Sequence, residues 1–178
     1  MRPILFSTDN VRKILDGKKT MTRRVVEPQV ESIERLETVH AEVLYDFLIN
    51  CCPYGQVGSK LWVQEKWCGR RDRLVDCPLR YLADYPDNYD DAMKMDHTFG
   101  LYEWQPATNM PYWAARLKLL ITDVRVKRLH SITDYSACKE GVLSMEEFRK
   151  QWNSINEIRG YGWDMNPLVY VIVFEKIV

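Results

Sequence analysis

Ile14-Leu15-Asp16-Gly17-Lys18-Lys19-Thr20-Met21-Thr22-Arg23-Arg24 joins the end of a predicted helix to the start of a predicted strand, and the fold is read outward from it. Upstream, Pro3 to Phe6 is a short apolar run that predicts a first strand. Ser7 or Thr8 then offers a side-chain oxygen to the free N–H groups of a helix start, and Val11, Ile14 and Leu15 recur at helical spacing. Gly17 is placed to end that helix in the left-handed conformation. Thr20 to Val26 alternates and suits a strand. Lys18, Lys19, Arg23 and Arg24 complement the helix dipole and form a local basic patch.

Further along, Ile33, Leu36, Val43, Leu44 and Phe47 can be arranged as helical stripes, and Pro53-Tyr54-Gly55 and Gly58 mark turns. Leu61 to Trp67 predicts one strand. Gly69 to Met110 has weak periodicity and reads as an irregular insertion. Ala114 to Leu129 predicts one long bent strand or two strands. Thr133 or Asp134 caps a short helix that reaches Lys139 and stops at Gly141. Ser144 with Glu147 has capping-box spacing ahead of a helix to about Ile155. Tyr161-Gly162-Trp163 is a turn, and Val169 to Ile177 a closing strand. Strands dominate, with two or three helices between them: an α+β fold built on a partly open mixed β-barrel, one domain over residues 1–178.

The chain has 178 residues, 46% of them hydrophobic and 28% charged, so it has a globular composition and enough length to bury a core without disulfide or metal staples. Its net charge is zero, which argues against a dedicated binder of long duplex DNA and leaves room for a local basic patch. Six Trp and ten Tyr can serve a core or a base-stacking platform. Five cysteines, an odd number without a CxxC pair, predict free thiols in a reducing compartment. The start MRPILFSTDN has no signal-peptide character and no apolar run approaches membrane-spanning length, so a cytoplasmic location is expected, in the bacterial host if the chain is phage-encoded.

Three stretches resemble the ASCH family of PUA-like barrels: Ile14 to Arg24, Gly58-Ser59-Lys60-Leu61-Trp62-Val63-Gln64-Glu65, and Ile132-Thr133-Asp134 through Lys139-Glu140-Gly141-Val142 with the strand Val169 to Glu175. Cys52-Pro53-Tyr54-Gly55, Asn109-Met110-Pro111-Tyr112-Trp113-Ala114 and Tyr161-Gly162-Trp163-Asp164 resemble the longer ASCH proteins common in phages and prophages, with Ser59 where Asp is usual and Asn109 where His is common. The resemblance implies a PUA-like barrel that handles RNA or a modified nucleoside. Some relatives are metal-independent amidohydrolases that deacetylate N4-acetylcytidine with a Lys, a Thr three residues on and a Glu before a turn, which fall here on Lys19, Thr22 and Glu140. Others are RNA-binding proteins or ribonucleases. A phage accessory protein that contacts another protein is the third expectation.

Lys19 would be the base, Thr22 the nucleophile, and Glu140 the acid or orienting group. A Thr hydroxyl needs a base within reach, and a Lys amine can be that base if burial or a cationic neighbour, Arg23 or Arg24, lowers its pKa. On one strand Lys19 and Thr22 would face opposite ways, so Lys19 must sit in the turn after the helix or a bulge must intervene. The plainer reading is a lysine satisfying helix carbonyls, a strand Thr and an exposed Glu. Substrate-binding candidates are Arg24, Glu65, Trp67, Asn109, Trp113 and Arg116. Glu65 either accepts from a cytosine amine or is a salt-bridged rim residue, and Trp113 either stacks a base or belongs to the core. No cofactor or metal is expected: three His and five Cys lack zinc spacing, and Cys51-Cys52 should pack as small hydrophobes. A Cys138 nucleophile lacks an evident His partner among His40, His97 and His130.

Overall fold

The computed structural model describes residues 1–29, 38–69, 79–85 and 104–177, with the side chains of 38–41 left aside. Ile33, Leu36, Cys77 and His97, the His40 side chain and most of the expected insertion lie outside the described residues. The chain is α+β. Strands β1 (Arg2–Leu5), β3 (Lys60–Gln64), β6 (Lys118–Arg128), β7 (Leu168–Ile177) and β2 (Met21–Val25) form a five-stranded sheet in the order β1-β3-β6-β7-β2. The β1–β3 pair is parallel and the other pairs are antiparallel, so the sheet is mixed and open, with β1 and β2 at its edges. The expected long strand at Ala114 to Leu129 is β6 alone, shortened to Lys118–Arg128, and its bend is a register shift between Ile121 and Asp123. An unpaired extra residue of this kind sharpens local twist and curls a sheet.

Four α-helices are present among the described residues rather than two or three: α1 (Thr8–Leu15), α2 (Thr38–Asn50), α3 (Asp134–Lys139) and α4 (Met145–Asn156). Ser7 caps α1 by accepting from the Asn10 N–H, and Gly17 closes it at φ +73°, as the Gly was expected to do. Leu48 is buried and Leu44 partly buried where α2 meets the core, but Val43 and Phe47 are exposed, so of the described members of the expected apolar stripe only Leu44 packs inward. Ser144 caps α4 by accepting from the Glu147 N–H, while Glu147 accepts from the Leu143 N–H, one residue before the cap.

The expected strand Leu61 to Trp67 breaks at Glu65. Trp67–Cys68 (β4) leaves the main sheet and pairs instead with Arg80–Tyr81 (β5). The sheet carries a core on each face. One gathers Ile4, Val11, Leu61, Val63, Leu119, Ile121 and Ile172 beneath α1 and α2. The other gathers Met21, Leu129, Val169 and Val171 beneath Phe148 and Trp152 of α4. The near-continuous apolar run of β7 follows from burial on both faces. No helix among the described residues is long and apolar enough to cross a membrane. Cys51, Cys52, Cys68 and Cys138 are free thiols, and Cys51 is exposed rather than packed beside buried Cys52.

Candidate functional site

The turn after α1 is held before any side chain is considered. The N–H groups of Lys18 and Lys19 both donate to the Lys13 carbonyl, at 2.8 and 3.0 Å. The Thr20 N–H donates to the Lys139 carbonyl at 2.9 Å, and the Thr20 carbonyl accepts from the Phe174 N–H at 2.9 Å. Thr20 therefore fastens the C-terminus of α3 to the start of β2, and Glu140, one residue past α3, is set against Lys19. Gly141 allows this approach: it adopts φ +81°, and a Cβ there would stand 3.3 Å from the Lys19 Cβ and 3.0 Å from the Lys13 Cδ.

Lys19 donates from Nζ to Oε2 of Glu140 at 3.0 Å and to the Glu140 carbonyl at 2.9 Å. Arg23 donates from Nη1 to Oε1 of the same carboxylate at 2.8 Å and from Nη2 to the Ser136 hydroxyl at 3.1 Å. Ser136 is itself part of the capping box with Thr133 that starts α3. The side chains of Lys19, Arg23 and Glu140 are only 4%, 4% and 6% exposed. Two cations thus share one buried carboxylate. Burial pushes the Lys19 amine below its ordinary pKa; Glu140 opposes that shift, while the charges of Arg24 and Lys13 add to it. Arg23 has already taken half of the carboxylate, so the surplus proton of this cluster is most readily lost from Lys19.

Lys19 lies in the turn and not on the strand, which removes the parity conflict with Thr22: β2 begins only at Met21. Thr22 pairs with Ile172 and faces the core under α1, whereas Met21 and Arg23 face the core under α4. Because β2 is an edge strand, both of its faces reach the same opening. Lys19, Thr22, Arg23, Arg24 and Glu140 line one cavity of about 1060 Å³ between β2, β1, α2 and α4. Phe6, Phe47, Tyr54, Phe148, Trp152 and Tyr170 supply its aromatic surface. Arg24 spans from β2 toward the opposite edge strand, donating from Nη2 to the Leu5 carbonyl at 2.6 Å, with its guanidinium over the rings of Phe6 and Tyr54. Thr22 is 5% exposed, and its hydroxyl makes no hydrogen bond to Lys19, whose amine is directed to Glu140.

Of the expected site residues, the structure brings Lys19, Thr22, Arg24 and Glu140 together. Glu65, Trp67, Asn109, Trp113 and Arg116 do not line this cavity. Glu65 is fully buried, and both of its carboxylate oxygens accept from Arg116, at 3.0 Å each; Arg116 also grips both oxygens of Asp84 at 2.7 Å. This is the salt-bridged alternative for Glu65, at the point where β3 gives way to β4. Burial pushes the Glu65 carboxyl above its ordinary pKa, against the pull of Arg116. Trp67 packs in a separate cluster with Trp62, Tyr81 and Met110. Trp113 meets Trp67 edge-on and remains 40% exposed, so it is not a core residue. Asn109 ends a short turn of 3-10 helix at Ala107–Asn109.

Sequence reasoning missed Asn10, whose Oδ1 is buried at the cavity wall without a partner among the described residues. Arg23, expected as part of the basic patch and as a neighbour that lowers the Lys19 pKa, is in addition a direct partner of Glu140. An Asn at the third position of a helix and an Arg beside another Arg carry no pattern that marks them. Among the described residues no group of three or more His, Cys, Asp or Glu side chains is placed to hold a metal ion. Compared with protein-family models, with curated proteins and with solved structures, the chain matches none.

Proposed function

We propose that this is an ASCH-type, PUA-like domain whose cavity binds a modified nucleobase and hydrolyses an N-acyl group from it, N4-acetylcytidine being the type substrate. The observation that carries the reading is the buried Lys19–Glu140–Arg23 cluster at the wall it shares with Thr22. In the proposed reaction the neutral Lys19 amine takes the Thr22 hydroxyl proton as Oγ1 attacks the acyl carbon. The resulting alkoxide forms beside the excess positive charge of the cluster, which stabilises it more in the transition state than in the substrate. Lys19 then returns the proton to the departing exocyclic amine, the C–N bond breaks, and a Thr ester remains. Water, deprotonated by Lys19, hydrolyses that ester to carboxylate and free Thr22. Glu140 holds the amine in position through both halves and is a positioning residue in this scheme.

The test is release of acetate from N4-acetylcytidine, followed by mass spectrometry. Thr22→Ala is expected to lower turnover by about a hundredfold or more. Unchanged turnover in that variant, or no hydrolysis of any N-acylated nucleoside by the wild-type chain, overturns the reading. One observation favours a second function, a non-catalytic module for RNA or a modified base: the Thr22 hydroxyl is not bonded to its intended base in this structure. That reading expects the same nucleosides to bind and leave unaltered.

A further inference from the structure

We infer that the cavity takes its nucleoside with a phosphate attached, and that Arg24 is the donor that holds the anion; only the base half of this ligand rests on the function proposed above. The charged side chains lining the cavity among the described residues are Lys19, Arg23, Arg24 and Arg159 against Glu27 and Glu140. Glu140 is shared by Lys19 and Arg23, and Glu27 is paired with Arg159 at 2.7 Å. Among the described residues Arg24 is left without a carboxylate at salt-bridge distance. One guanidinium nitrogen donates to the Leu5 carbonyl, while its Nε–H, like that of Arg23, is buried and has no partner among the described residues.

The chain as a whole is neutral, so the uncompensated charge of Arg24 in this cavity is a local feature. Desolvating a cation without a counter-charge is costly, and an unpaired buried N–H adds to that cost. An anionic ligand removes both penalties. A phosphate oxygen bonded to the Arg24 Nε–H forms a charge-assisted hydrogen bond beside a guanidinium already fixed by Phe6, Tyr54 and Leu5. At about 1060 Å³ the cavity has room for a nucleoside and its phosphate together. Asn10 offers an unpartnered buried amide oxygen on the same wall, suited to a donor on the base or the sugar.

The experiment is titration calorimetry with cytidine, cytidine 5′-monophosphate and ribose 5-phosphate at fixed ionic strength, none of which requires turnover. The monophosphate is expected to bind about ten- to a hundredfold more tightly than cytidine. Arg24→Gln should abolish that advantage and leave the Kd for cytidine in place, and Arg24→Lys should keep part of it. A role for Arg24 only in tying β2 to β1 would weaken both ligands equally. If Arg24→Gln does not fold, the ratio is read in Arg24→Lys, where it must fall. Equal affinities for cytidine and its monophosphate in the wild type, or an advantage that survives loss of the guanidinium, overturns the inference. Arg24-dependent binding of ribose 5-phosphate with no binding of cytidine sustains the anion site and removes the nucleobase reading. Binding of none of the three removes both. A trinucleotide centred on cytidine distinguishes the source: tighter binding than the monophosphate assigns the phosphate to a strand, weaker binding to a free nucleotide.

Discussion

Two substitutions at the buried cluster should have opposite consequences although they remove the two ends of one ion pair. Glu140→Gln leaves Lys19 and Arg23, each with a side chain only 4% exposed, facing each other without a counter-charge. Removing the carboxylate partner of a buried pair costs about 3–5 kcal/mol. In a chain of this length that corresponds to a fall in Tm of roughly 6–20 °C. Lys19→Met instead leaves Arg23 and Glu140 as a one-to-one pair and takes the more poorly compensated cation out of the interior. The loss is two hydrogen bonds, to the Glu140 carbonyl and to Oε2, about 2–4 kcal/mol together, and the gain is relief of Lys19 desolvation, of similar size. Stability should stay within about 1 kcal/mol of wild type. Urea and thermal unfolding followed by tryptophan fluorescence measures both. If Lys19→Met is as destabilising as Glu140→Gln, the lysine is a structural counter-ion and not a strained, proton-losing amine, and the argument for it as a base fails.

Hydrolysis should rise with pH along a limb set by loss of the Lys19 proton, with a midpoint below the ordinary lysine value of 10.5, because burial disfavours the charged amine. Between that midpoint and 10.5 the unfolded chain binds more protons than the folded one, so wild-type stability should increase with pH there; the increase should be smaller in Lys19→Met. At the other cluster, Arg116→Leu strands the fully buried Glu65 carboxylate and should cost about 3–5 kcal/mol at neutral pH. Glu65 already has its pKa raised, and losing Arg116 raises it further, so the folded variant gains a proton that the unfolded chain does not hold. The deficit should therefore shrink as pH falls toward the ordinary carboxyl range, and urea midpoints measured between pH 7 and 5 check it.

The sequence carried a good deal of this. A cap at Ser7 or Thr8, the Gly17 stop, a cap at Thr133 or Asp134, Gly141 and the Ser144 cap are local signals, each satisfied within a turn or two of backbone, and the structure uses Ser7, Gly17, Thr133, Gly141 and Ser144. Strand alternation located β1, β2 and β7 to within a residue or two. The break at Glu65 was not legible, because Val63, Glu65 and Trp67 continue the alternation while the chain leaves the sheet. At that point Glu65 is held by a long-range pair: Arg116 lies 51 residues away in sequence and donates to both Glu65 oxygens.

By itself the sequence determined the ends of α1, α3 and α4, the strands β1, β2 and β7, and that Lys19 had to lie in a turn or beside a bulge if it was to share a side with Thr22. Only the tertiary structure decided that Glu140 is buried and doubly paired, that Arg23 and Asn10 belong to the cavity, and that Glu65 and Arg116 do not. The reason is one of range. Caps and strand patterns are settled by neighbours a few residues apart, whereas a charge's surroundings depend on contacts such as Lys19 to Glu140, 121 residues apart. Such contacts exist only once α3 has been fastened to the start of β2 through Thr20.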